Sequence, residues 1–261
     1  MINYKTYGIT DFKNGKEKEA FECLEENSEE LKKKYFDKFG NILSQDFARE
    51  VFKDIGYDRE NSESTDTFGR PAWELVKLLF KEYHDIYKDF GNVEEIITGG
   101  IPGAGKTTSS REIQLDGIVS LIADINIMNY DETVKRIEQI IANGFKPVLN
   151  FIYRDPYEAY INGVLRRVVS KTGHIIKIDN QLKSYVITAE NALRLIDKFG
   201  DGLKVVLSEN KNGELIEISA GDLKSKNYKT EEFKERIINE LERLCFEERE
   251  ISRDIYESAI G

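Results

Sequence analysis

The chain has 261 residues, long enough to bury a full α/β core. Lys and Arg number 38 against 48 Asp and Glu, a formal net charge of −10, so the surface repels nucleic-acid phosphates and anionic lipid and argues against a role on either unless a local basic patch overrides the field. Cys23 and Cys245 stand far apart without metal-ligand spacing, which predicts free thiols rather than a disulfide framework or a zinc site. The opening MINYKTYGITDFKNGKEKEAF holds no apolar run of signal-peptide length, and no stretch approaches the roughly 20 apolar residues of a membrane span, so a cytoplasmic protein is expected.

In chain order, residues 15–38 are charge-dense with apolar Phe21, Leu24, Leu31 and Tyr35, the pattern of an exposed helix with a narrow buried stripe. Helices are predicted over 45–55 and 71–90, the second with Pro71 in its first turn and Gly91 past its end, and the polar DRENSESTDTFGR between them reads as a surface loop. At Val93 the character changes: VEEIITGG reads as a strand and Gly-rich turn, a helix start follows, and IVSLIAD reads as a second strand ending at Asp124. Then come a helix over 131–143, the nearly all-apolar strand 147–153, helices over about 156–170 and 186–199, a hairpin turning at Asn212-Gly213, and a charged helix over about 229–247. This alternation predicts an α/β fold, P-loop kinase-like, with a mostly parallel sheet flanked by helices. The expected division is a helical N-terminal extension, 1–91, and a P-loop domain, 92–261.

Gly100-Ile-Pro-Gly-Ala-Gly-Lys-Thr107 fits the phosphate-binding pattern G-x-x-x-x-G-K-[ST] at every position, between a strand and a helix as its mechanism requires. Gly100, Gly103 and Gly105 let the backbone through Ala104 turn tightly and aim N–H groups at phosphate oxygens, with Thr108 following in the helix start. Lys106 would reach the β- and γ-phosphates and the Thr107 hydroxyl a Mg²⁺ ion. Such a loop binds ATP with Mg²⁺; alone it does not separate transfer from hydrolysis.

Asp124 closes its strand at the carboxyl edge near the loop, where a carboxylate serves as general base, holds Mg²⁺ through water, or caps a helix. Asp131 and Glu132 look like first-turn helix acids. Arg166 and Arg167 follow the third strand; one of them can neutralise phosphoryl charge, and helical geometry, about 100° per residue, argues that only one faces the site. Arg154 offers a further polar group, while Asp155-Pro156 reads as a cap and first helical position. His84 and His174 carry no ligand signal by themselves.

With GGIPGAGKTT and Asp124 upstream, FIYRDPYEAYINGVLRRVVSKTGHIIKID resembles the zeta-toxin-like P-loop kinases of phages and mobile elements over roughly residues 93–210. The resemblance implies ATP on the loop through Lys106 and Thr107, Asp124 as base, Arg167 as the first lid arginine, and His174 where relatives carry a second lid cation. This chain has Gly173-His174 followed by Ile175-Ile176-Lys177 without the proline relatives show. A neutral imidazole supplies neither permanent charge nor a bidentate fork, which leaves Arg166, Lys171, Lys177 or Lys183 to compensate. The resemblance also implies phosphorylation of a hydroxyl on a nucleotide-linked metabolite, UDP-N-acetylglucosamine first and NAD second, and a protein antitoxin as partner. Asn126, Asn129 and Tyr130 are the expected acceptor-side residues. The alternative from another class is a nucleotide-gated interaction module without turnover.

Overall fold

The computed structural model describes residues 11–109, 118–124, 127–226 and 228–261. Six strands form one sheet: β1 Ile42–Ser44, β2 Val93–Gly99, β3 Ile118–Asp124, β4 Lys146–Tyr153, β5 Lys204–Lys211 and β6 Glu214–Glu217, in spatial order β1-β3-β2-β4-β5-β6. The first five are parallel, and β6 returns antiparallel on β5 through Asn212 and Gly213, whose φ values of 54° and 95° suit a two-residue hairpin. The fold is therefore α/β, P-loop kinase-like, as its sequence pattern predicts. β2 is buried at every position, as a central parallel strand must be when both its faces are covered.

Among the described residues, five α-helices precede the loop: α1 Gly15–Glu26, α2 Ser28–Phe39, α3 Gln45–Glu50, α4 Ser62–Thr67 and α5 Gly69–Tyr87. The charge-dense stretch predicted as one helix breaks at Asn27, whose backbone N–H closes α1 on Cys23 O. The predicted surface loop holds α4 because Asn61 accepts from the amides of Glu63 and Ser64 and nucleates the turn. After the loop come α6 Lys106–Ser109 and α7 Tyr130–Ala142, then α8 Pro156–Ala159, a π-helical turn Tyr160–Leu165 and α9 Arg166–Val169 as one continuous rod. α10 Ile178–Phe199, α11 Ala220–Lys224, α12 Thr230–Glu242 and α13 Arg253–Ile260 complete the chain.

Alternation along the strands divides the core. Ile97, Leu149 and Leu207 pack with Ile137 and Ile140 of α7, Leu182 and Leu195 of α10, and Ile237 of α12. Leu43 and Leu121 pack with Leu24, Tyr35 and Leu75 from α1, α2 and α5. Ile42, Ile96, Ile122 and Val148 form a third cluster. Each such side chain stabilises by about 1.5–3 kcal/mol when fully buried.

The N-terminal span is joined to the sheet through β1. Its outer edge has no strand neighbour among the described residues; the fully buried Tyr35 hydroxyl takes that place, donating to Ile42 O at 2.8 Å and accepting from Ser44 N at 3.0 Å. Because β1 runs parallel to β3 with Ser44 opposite Asp124, the chain leaves it at the carboxyl edge of the sheet, and α3 begins there.

Candidate functional site

A cleft of about 750 Å³ opens along that carboxyl edge. β2 feeds it, with β3 on one side and β4 on the other, so the loop after β2 lies where the connections diverge, the usual ligand crevice of such sheets. The loop is shaped by close approach. Gly100, Gly103 and Gly105 have φ of 125°, 81° and 99°, and a Cβ on Gly100 would strike Ile152 O while one on Gly103 would strike Ala159 O. These conformations turn successive amides inward, the concavity that anions occupy.

The loop is held from outside by side chains donating to its carbonyls. Gln181 Nε2 donates to Pro102 O, Arg154 Nη1 to Gly103 O and Asn210 Nδ2 to Ala104 O, each at 2.8 Å. Ser109 is buried and paired with the buried Asn150 of β4, Nδ2 to Oγ at 3.1 Å. None of the three clamps is near the loop in sequence, and only Arg154 was singled out from the sequence. Burial lowers the Arg154 pKa, against the charges of Glu158 and Asp155. Asp155 accepts from the amides of Tyr157 and Glu158 as the cap of α8, which Pro156 opens, and its other oxygen lies 4.0 Å from Arg236 Nη1.

Lys106 Nζ lies over its own loop, donating to Gly100 O at 3.2 Å and Ile101 O at 3.4 Å. Asp124 stands across from it on the cleft wall, its Oδ1 accepting from the buried Thr98 hydroxyl at 3.0 Å. Thr98 thereby fixes one oxygen of a carboxylate that lines the cleft. The side chains of Thr107 and Thr108 lie outside the described residues, as does Asn126.

The rod of α8, the π-turn and α9 forms the far lip. Gly163 in the π-turn lies against Gly103, so a methyl there would come within 2.5 Å of Gly103 Cα. Arg167 Nε donates to Gly163 O at 3.1 Å, and both Arg166 and Arg167 line the cleft. Both line it although α9, in which they follow one another, sets neighbouring side chains about 100° apart. Desolvation lowers the Arg167 pKa, opposed by Asp46 and Asp124 and reinforced by Arg59. His174, half-buried, also lines the cleft; desolvation lowers its pKa, Asp46 opposes, and Arg49, Arg167 and Arg59 add to the lowering. Lys171, Lys177 and Lys183 do not line it, and Lys177 donates instead to Gly261 O at 2.7 Å.

Of the acceptor-side residues expected after Asp124, Asn129 and Tyr130 are not among those lining the cleft. Asn129 caps α7, accepting from Glu132 N at 3.3 Å, and Tyr130 lies under the Arg194 guanidinium at 3.6 Å. Asp131 and Glu132 are first-turn acids of α7. His84 is a core residue, 2.9 Å from the fully buried Glu95 and 2.6 Å from Asn143. The wall facing the loop is built by the N-terminal span instead: Gln45, Asp46, Arg49, Tyr57, Arg59 and Trp73. No sequence motif singles out any of these six residues, because nothing local marks a residue that acts from across a fold.

No protein-family model matches the chain, and no curated protein matches it. A solved structure from the PezAT chromosomal toxin-antitoxin system of Streptococcus pneumoniae is similar at 13% identity, over 90% of this chain and 78% of that one, with a TM-score of 0.42. No helix among the described residues is long and apolar enough to cross a membrane.

Proposed function

We propose that the protein is an ATP-dependent phosphotransferase that moves the γ-phosphoryl group of ATP to a hydroxyl of a small acceptor. One observation carries this reading: the loop with Lys106, the carboxylate of Asp124 and the guanidinium groups of Arg166 and Arg167 converge on one cleft with room for a second molecule. In it, loop amides and Lys106 bind the phosphates, Asp124 takes the proton of the acceptor hydroxyl, the acceptor oxygen bonds to the γ-phosphorus as the bond to the ADP oxygen breaks, and Arg167 with Arg166 offsets charge that spreads in the transition state. The glycine concavity fits a nucleotide's phosphates, and Mg²⁺ bound to them, held at Thr107, would neutralise part of their charge. His174, neutral near pH 7, supplies orientation rather than charge.

For the acceptor we favour a nucleotide-linked metabolite, with UDP-N-acetylglucosamine before NAD, as the resemblance of the sequence to zeta-toxin-like kinases implies; an antitoxin that covers the cleft belongs to the same reading. The test is incubation with ATP, Mg²⁺ and a panel containing both metabolites, read by mass spectrometry. A phosphorylated acceptor is expected, and a panel without product counts against transfer. Lys106→Ala is expected to abolish binding of the non-hydrolysable analogue AMPPNP with Mg²⁺. Asp124→Ala is expected to keep that binding and lower product formation by about 10²–10⁴-fold. Turnover unchanged in Asp124→Ala would remove its role as base, and nucleotide binding without turnover in the unaltered protein would favour a nucleotide-gated module.

A further inference from the structure

Parallel strands in register present side chains at one level to the same face, and at the carboxyl edge of this sheet one such level is polar. Ser44 of β1 pairs with Asp124 of β3. Ile97 of β2 pairs with Ala123, which puts Thr98 one step on, level with Asp124, and Thr98 in turn pairs with Asn150 of β4. The level two residues earlier on the same face is Ile42, Ile122, Ile96 and Val148, wholly apolar and buried. Thr98 is itself fully buried, where valine would fill the same volume with no polar atom to satisfy, so packing does not call for its hydroxyl. That hydroxyl has one proton and two acceptors, Asp124 Oδ1 at 3.0 Å and Ala123 O at 3.4 Å. The carboxylate is the nearer and, when ionised, the stronger acceptor, so the proton is directed there. On the other side Asn150 directs its amide to Ser109 of α6, Nδ2 to Oγ at 3.1 Å.

We infer that Thr98 is the positioning residue of the general base: its hydroxyl holds Asp124 Oδ1, so that Oδ2 is the oxygen that receives the acceptor's proton. As that proton passes from the acceptor hydroxyl to Oδ2, the acceptor oxygen bonds to the γ-phosphorus and the bond to the ADP oxygen breaks, while Oδ1 keeps its hydrogen bond. Thr98 stands two residues before Gly100, near the end of β2, so the strand that feeds the phosphate loop also sets the carboxylate. The separation of base and phosphoryl group is then fixed within one pair of hydrogen-bonded strands, and an error of about 1 Å in such a separation costs on the order of 10²-fold in rate. This rests on the phosphotransferase reading above, whose base it orients.

The test separates the hydroxyl from the volume of the side chain. Thr98→Val keeps the shape and removes the hydroxyl, whereas Thr98→Ser keeps the hydroxyl and removes a methyl group. For each variant kcat and KM for ATP are measured with Mg²⁺ and, as acceptors, UDP-N-acetylglucosamine and NAD, and Tm is recorded. Thr98→Val is expected to lower kcat about 10–100-fold while KM for ATP and the Kd for AMPPNP with Mg²⁺ stay within about twofold. Thr98→Ser is expected to stay within about threefold of the unaltered kcat although the lost methyl group lowers its Tm. Activity and stability then rank the two variants in opposite order, which a residue needed only for packing would not give. In an Asp124→Ala background Thr98→Val is expected to cost no further activity, since the group it orients is gone. The inference is overturned if Thr98→Val keeps the unaltered kcat, if Thr98→Ser falls as far as Thr98→Val, or if the two losses multiply in the double variant. Should Thr98→Val not fold, Thr98→Ala compared with Thr98→Ser reads the same loss of hydroxyl. If the unaltered protein phosphorylates neither acceptor, the phosphotransferase reading fails and this inference with it.

Discussion

At the scale of residues, the site depends on where atoms are forbidden as much as on where charges stand. Gly163 and Gly103 meet backbone to backbone, so the lip of the cleft and the phosphate loop share a contact that admits no methyl group. Gly163→Ala is expected to cost about 1–3 kcal/mol, seen as a lower Tm, and to weaken nucleotide binding by displacing the loop. An unchanged AMPPNP affinity in a folded variant would show that the two backbones move independently. His174 gives a pH dependence of definite sign. Its pKa is lower in the folded protein than the value near 6.5 of an unfolded chain, so it costs nothing above about pH 6.5 and destabilises as pH falls below, where the unfolded chain takes the proton first. Arg49, Arg59 and Arg167 face it with Asp46 as the opposing charge. Thermal stability is expected to fall between about pH 7.5 and about pH 5.5 more in the unaltered protein than in His174→Gln. Equal slopes would remove the histidine from the account.

At the scale of elements, legibility follows the distance over which the information acts. The phosphate loop, the strand ending at Asp124 and the Asn212-Gly213 turn were readable because each is dictated by neighbours within a few residues. α10 begins at Ile178, eight residues before the predicted start, because Asp179 favours its first turn and Gln181 and Leu182 are buried, the first of them on Pro102 O. α13 is capped by Ser252, which accepts from Ile255 N at 3.3 Å, a signal that a local reading of the sequence carries. β1 could not be read. Three residues carry no periodicity, and Ile42–Ser44 is a strand only because β3 offers an edge and Tyr35 closes the other side. Burial pushes the Tyr35 hydroxyl pKa far up, so it stays neutral and a donor. Tyr35→Phe leaves the buried Ile42 carbonyl and Ser44 amide without that partner and is expected to destabilise by about 1–3 kcal/mol in a denaturant titration.

At the scale of the whole molecule, the helices before Val93 are stitched to one another through charge and to the rest of the chain through β1. Glu17 of α1 is fully buried and receives Arg70 of α5 at 2.7 and 2.6 Å. Burial raises its carboxyl pKa, but the hydrogen bonds and charge of Arg70, with the Lys13 amide, outweigh this and hold it below the usual range. The helices thus form one block whose product, β1, lies on β3. That three-residue strand has a consequence for handling the protein. A chain begun at Val93 would keep the phosphate loop but bare the rim of β3 around Ile122 and Asp124, with Leu121 stripped of its helical cover. An uncapped parallel rim beside exposed leucine is a template for another copy, so such a fragment is expected to self-associate in sedimentation, and to sediment as a monomer only if something else shields that rim.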